Sequence, residues 1–160
     1  MGKRIKLSAA VLTLSDSRSE SEDESGKALK GLLEAADFDI KMYALIPDNE
    51  ERIKDTLVSW SDEGVDLILT TGGTGPGPRD VTPEATTEIL DRNMPGLSEL
   101  IRMEDLKKTR RTYLSRDVSD IRGKTIIINL PGSKKGATES LEAVLDQIPH
   151  AILMMEGGGH

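Results

Sequence analysis

The 160-residue chain is long enough for one domain around a single core and too short for a second of ordinary size. A formal net charge of −7 argues against general nucleic-acid binding, and no run approaches the ~20 apolar residues that a membrane-spanning helix needs. With no cysteine, disulfides and thiolate metal sites are excluded, and a reducing cytoplasm fits.

The start, "MGKRIKLSAAVLTLSD", reads as a first strand over Ile5–Leu14 rather than a signal peptide, because its uncharged run is short and includes serines. The loop Ser15–Gly26 follows; its acidic, serine-rich part, Asp16–Glu24, is expected to be mobile. Leu29, Leu32, Leu33 and Ala36 then recur at helical spacing, and a second strand is expected over Phe38–Ile46. Asp48 sits between that strand and a helix carrying Ile53, Leu57 and Trp60, where helix N-capping is the ordinary role for an aspartate. The run Val65–Thr71 is short and mostly aliphatic, as a strand buried on both faces would be.

The stretch after it, "TTGGTGPGPRDVTPEAT", concentrates glycine and proline around Arg79 and Asp80. Small residues directly after a buried strand let backbone N–H groups face an anion. Thr82, Pro83 and Glu84 read as a helix start, with Thr82 at the N-cap and Pro83 at the first helical position. Residues 102–135 hold ten Lys/Arg against four Asp/Glu inside an otherwise acidic chain, which suits either a solvated basic surface or a site for one defined anion. A last strand is expected over Thr125–Leu130, followed by the glycine turn "LPGSKKG". A stripe of Ala137, Leu141, Val144, Leu145 and Ile148 reads as one helix, and the closing "EGGGH" is expected to fray.

Alternating strands and helices predict a single α/β domain, 1–160, with a mostly parallel sheet and helices on both faces. Ligands then belong beyond the carboxyl ends of the strands, where the three unusual loops share one rim. The phosphate loop G-x-x-x-x-G-K-[ST], the dinucleotide fingerprint G-x-G-x-x-G and the nucleophile motif G-x-S-x-G are all missing, and His150 and His160 are too isolated for a zinc site.

The stretch Gly72–Thr86 resembles the signature of the MogA/MoaB family of molybdenum-cofactor biosynthesis proteins. The similarity also takes in Leu12–Gly26, Leu114–Gly136 and Ile148–Gly157, nearly the whole chain. It implies a three-layer molybdopterin-binding fold, commonly a homotrimer. In the adenylyltransferase branch, which this chain resembles more, it implies a reaction of molybdopterin with ATP and Mg²⁺. The products would be adenylylated molybdopterin, ready for a metal-inserting enzyme of the pathway, and pyrophosphate.

By the same resemblance Asp48 and Asp80 match the family's catalytic, magnesium-organising aspartates. Gly72, Gly73, Thr74, Gly75 and Arg79 match the nucleotide or pterin phosphate loop, and Asp16, Ser25 and Gly26 the same rim. Ser115, Arg116, Pro131, Gly132, Ser133 and Lys135 match pterin-phosphate contacts, although Lys134 stands where many relatives carry proline. Two alternatives stay open: a MoaB-like protein that binds molybdopterin without adenylylating it, and a trimeric scaffold for the pathway.

Overall fold

The structure is a computed structural model and describes residues 6–158. Its strands are β1 (Leu7–Leu14), β2 (Phe38–Ile46), β3 (Leu67–Thr71), β4 (Arg92–Asn93), β5 (Ser119–Arg122) and β6 (Thr125–Leu130). Its helices are α1 (Glu24–Ala35), α2 (Glu50–Asp62), α3 (Thr82–Ile89), α4 (Gly96–Leu106), α5 (Lys134–Val144) and α6 (Ile148–Met155).

The strands form one sheet in the order β2-β1-β3-β6-β5-β4. Strands β2, β1, β3 and β6 are parallel; β5 and β4 are antiparallel additions at one edge. Along the central strands successive side chains enter opposite cores, as the two-residue strand period requires. Ala9, Val11, Leu67, Leu69, Ile126 and Ile128 face the layer of α1, α4, α5 and α6. Ala10, Leu12, Ile68 and Ile127 face α2 and α3 through Ile53, Leu57 and Ala85. The result is the three-layer α/β arrangement expected from the sequence, and no described helix is long and apolar enough to cross a membrane.

Several local expectations change. The strand start expected at Ile5 falls outside the described residues, and β1 begins at Leu7. Segment 16–24, expected to be mobile, is folded: a capping box between Ser19 and Glu22 closes a 3-10 turn over Glu20–Glu22, and Asp23 caps α1. The N-cap of α2 is Asn49, whose side chain accepts from Arg52 N, so Asp48 is left free of that task. The cap position of α3 is Val81; Thr82 is already helical and its hydroxyl donates to Gly72 O at 3.0 Å.

The stripe from Ala137 to Ile148 is two helices, because the chain turns over residues 145–147 before Pro149 opens α6. Of the closing "EGGGH", residues 156–158 form a capping turn in which Gly157 N reaches Met154 O and Gly158 N reaches Leu153 O. Gly159 and His160 lie outside the described residues. Helix α4 and the β4–β5 edge have no counterpart among the elements expected from periodicity.

Asp23 anchors the first loop to the sheet. Fully buried, its carboxylate accepts from Thr13 Oγ1 (2.6 Å), Tyr43 Oη (2.5 Å), Gly26 N (2.9 Å) and Ser25 Oγ (3.2 Å). Burial pushes its pKa up, but these donors outweigh burial and hold it below the usual carboxylate value. The stability it contributes is therefore present above the unfolded pKa and lost as pH falls through the folded value. Tyr43→Phe removes one charge-assisted donor and should cost about 1–2 kcal/mol of unfolding free energy; denaturant melts at pH 7 measure it, and an unchanged midpoint would show the other three donors suffice.

Candidate functional site

In a parallel sheet of order 2-1-3 the chain leaves β1 toward opposite edges, and the crevice between the carboxyl ends of β1 and β3 is the topological switch point. A cavity of about 310 Å³ opens there, lined by residues 13–18, Asp48, Thr71, Gly72, Gly73 and Gly132. Beside it lies a second cavity of about 380 Å³, between the glycine-rich turn and α4 and α5, whose lining includes Gly75, Ile101, Asp105, Ser115, Asp117 and Ser140. The two share a wall. Gly72 and Gly73 face the first while Gly75 and Pro76 face the second; Gly132 faces the first while Pro131 and Ser133 face the second.

That wall is tightly tied. Gly72 N donates to Leu130 O at 3.0 Å and Thr71 Oγ1 to Pro131 O at 2.6 Å. A Cβ on Gly132 would lie 3.3 Å from Gly72 Cα, so the two turns touch backbone to backbone. Gly73 has φ +69°, and a Cβ there would meet Thr82 Oγ1 at 2.3 Å and Asp48 Oδ1 at 2.9 Å. Glycine at 73 thus lets the turn bend under an aspartate.

Two carboxylates, Asp16 and Asp48, line the first cavity, and Asp80 is near enough for its charge to act on Asp48. Asp16 Oδ1 accepts from Asp48 N (2.9 Å), and Asp16 Oδ2 accepts from Arg79 Nε and Nη2 (3.0 and 2.7 Å). The hydrogen-bonded Arg79 guanidinium holds the Asp16 carboxyl below its usual range. Asp80 Oδ2 accepts from Gly77 N at 3.0 Å, so the aspartate shapes its own turn. Asp48 Oδ1 is buried without any hydrogen-bond partner. Burial, then the charges of Asp16 and Asp80, push the Asp48 pKa up.

A buried, unpartnered carboxylate oxygen among other carboxylates fits a hard cation. Among the described residues no group of three or more His, Cys, Asp or Glu is placed to hold a metal unaided. That suits an ion taking one or two carboxylates and completing its shell with substrate phosphate and water. Two cations lie at this site: Arg79, bonded to Asp16, and Arg18, which lines the cavity and whose Nη1 donates to Gly132 O at 3.4 Å.

The structure therefore brings Asp16, Asp48, Gly72, Gly73 and Gly132 to one cavity and Gly75, Ser115, Pro131 and Ser133 to the other. Ser25 and Gly26 are buried in the first turn of α1, and Thr74 is buried with its carbonyl taken by Arg116 N. Arg116 acts as a clamp: Nε donates to Gly75 O (2.9 Å), Nη2 to Asp80 O (2.7 Å), and the guanidinium forks onto Glu84. Ser133 caps α5 through Gly136 N, and Lys134 and Lys135 open that helix.

The basic stretch 102–135 is spent largely on such pairing. Arg102, Lys107, Lys108, Arg116, Arg122 and Lys124 each have an acidic partner. Sequence reasoning missed Arg18, Asp105, Asp117 and Ser140; Asp105 and Ser140 reach the second cavity through the placement of α4 and α5 and Asp117 from the segment before β5, and no local motif signals it.

Residues 10–150 match the family model described as "Probable molybdopterin binding domain". The chain belongs to that family. It is 42% identical over 155 residues to the "Molybdopterin adenylyltransferase" of Helicobacter pylori (strain ATCC 700392 / 26695), spanning 92% of this chain and 86% of that one. It is 43% identical over 126 residues to the protein of the same description from Escherichia coli (strain K12), spanning 71% and 65%. Among solved structures it superposes on the "Molybdopterin biosynthesis enzyme MoaB" of Thermus thermophilus with a TM-score of 0.88 and 51% identity, covering 94% of this chain and 97% of that one.

Two outcomes test the geometry. Gly73→Ala should destabilise the protein by about 1–3 kcal/mol in denaturant melts, since its φ and its neighbours both resist a Cβ. Because its raised pKa makes Asp48 a proton-retaining group, its contribution to stability declines as pH rises through the folded value. Asp48→Asn should then melt at a higher temperature than wild type at pH 7 without Mg²⁺, and added Mg²⁺ should raise only the wild-type melt. Equal metal responses would separate Asp48 from cation binding.

Proposed function

We propose that the chain is a Mg-ATP-dependent molybdopterin adenylyltransferase. A terminal phosphate oxygen of molybdopterin attacks the α-phosphorus of ATP; the bond from that phosphorus to the β-phosphate oxygen breaks, pyrophosphate leaves, and a new phosphoanhydride joins pterin and AMP. The observation that carries this reading is the buried, unpartnered Asp48 Oδ1 at the sheet's switch point, against a wall of glycine backbone.

Every reacting group is anionic, so the protein has chiefly to position them and offset charge. The first cavity takes the nucleotide phosphates, with backbone of Gly72 and Gly73 on one side, Arg18 in its lining and Arg79 bonded to lining Asp16. The second cavity takes the pterin, and the shared wall at Gly132 places the pterin phosphate between them. Asp48 and Asp80 would hold Mg²⁺, which when bound neutralises charge on the phosphates. Arg116 presents Asp80 by fixing its carbonyl and that of Gly75. The attacking phosphate is already ionised near neutral pH, and no general base is required of the site.

The protein acts in the cytoplasm as a homotrimer, and passes its product to a metal-inserting enzyme. Met103, Tyr113 and Leu114 are each more than 60% exposed on α4 and the turn after it, which supports assembly through that face.

The test is mass-spectrometric detection of adenylylated molybdopterin from purified protein, molybdopterin, ATP and Mg²⁺. Product should require the metal, and Asp80→Ala should lower turnover by about 10²–10³-fold with the fold intact. Saturable molybdopterin binding without product would favour the binding-only reading. No binding of either substrate would favour a scaffold.

A further inference from the structure

We propose that Asp105, which takes no part in the phosphoryl transfer, reads the hydrogen-bond-donor edge of the ligand's heterocycle in the second cavity. This rests on the reading that the cavity takes the pterin.

Asp105 lies in the last turn of α4, where the helix's own carbonyls make the end negative and disfavour a carboxylate. It is only 8% exposed, yet among the described residues it has no ion-pair partner. Arg102, one turn earlier on the same helix, is given to Asp117 at 2.8 Å and to the carbonyls of Ser115 and Asp117. Ser140 Oγ donates to Asp105 Oδ2 at 2.8 Å, while Asp105 Oδ1 is buried and unpartnered. One neutral hydroxyl is poor compensation for a buried carboxylate.

No group of the cavity wall bonds that oxygen. Asp105, Asp117 and Glu139 all line the cavity, alongside the apolar Ile101 and Leu114 and the basic Arg111. Asp117 and Glu139 are paired with Arg102 and Lys108, so Asp105 is the lining carboxylate left to meet a flat ring whose edge donates hydrogen bonds. A 2-amino-4-oxopyrimidine edge carries adjacent ring and exocyclic N–H groups, the complement of a carboxylate. With that edge at Asp105, the anionic end of the ligand is directed away from the carboxylates toward Ser133 and Gly132, at the amino end of α5 and the shared wall. The competing account makes Asp105 a tie between α4 and α5 through Ser140, and it predicts altered stability with unaltered recognition.

Asp105→Asn and Asp105→Ser separate the two. Each is compared with wild type for folding by circular dichroism and melting, for KM of molybdopterin and of ATP in the adenylylation assay, and by calorimetry with pterin and its 2-oxo analogue lumazine. The expected result is a KM for molybdopterin raised by about 10- to 100-fold, an unmoved KM for ATP, and loss of the wild-type preference for pterin over lumazine. The inference is overturned if folded variants keep wild-type KM and preference, if only the melting temperature moves, or if wild type binds neither molybdopterin nor pterin. If wild type makes no adenylylated product but prefers pterin and Asp105→Asn abolishes that preference, the assignment of Asp105 stands and the enzymatic reading falls.

Discussion

Strands β1, β3 and β6 are buried on both faces, and this constraint organises the molecule. A strand with a core on each side has no solvent for a charged side chain, so "LSAAVLTL", "LILTT" and "TIIINL" carry none. Charged chemistry is thereby driven to the loops beyond the carboxyl ends. Because those strands run parallel, three such loops leave the sheet on the same rim. The polar residues tolerated inside are spent on bracing that rim: fully buried Asn129 donates to Thr70 and Thr86 and accepts from Val118 N. The glycine-rich turn thus rests on a hydrogen-bonded floor instead of a loose loop.

On that rim the backbone does the dividing and the side chains do the charging. Two glycine turns meet so closely that even a Cβ at Gly132 would crowd Gly72, and their contact separates a carboxylate-and-arginine cavity from a chamber with apolar, acidic and basic residues in its wall. Each cavity contains a buried carboxylate oxygen with no protein partner, Asp48 in one and Asp105 in the other. Such groups are costly to a fold, and the structure has two of them in adjoining cavities. Arg116 restrains the wall from outside. Its ion pair with Glu84 holds the Glu84 carboxyl below its usual range and ties the start of α3 to the same turn.

The sequence could not reveal which cations would be free. Its basic stretch suited either an anion site or a solvated surface, yet several of those side chains neutralise acids brought from distant segments, as Arg122 does with Asp62 and Lys124 with Asp66. Asp48 shows the reverse. Its position suggested a cap, but neighbouring Asn49 has the extended backbone and the side-chain bond of one. The displaced aspartate is left with an unpartnered oxygen, a property of packing that no local pattern encodes.

The sequence by itself determined the α/β class, the central strands, the glycine-rich turn around Asp80 and the family resemblance, because these follow from local periodicity and from residue types with few substitutes. Only the tertiary structure decided that segment 16–24 is folded around buried Asp23, that α4 and α5 close a second cavity, and that Asp105 and Asp117 line it. Those outcomes depend on contacts between residues far apart in the chain, such as Ser140 with Asp105, and on whether a buried charge finds a partner.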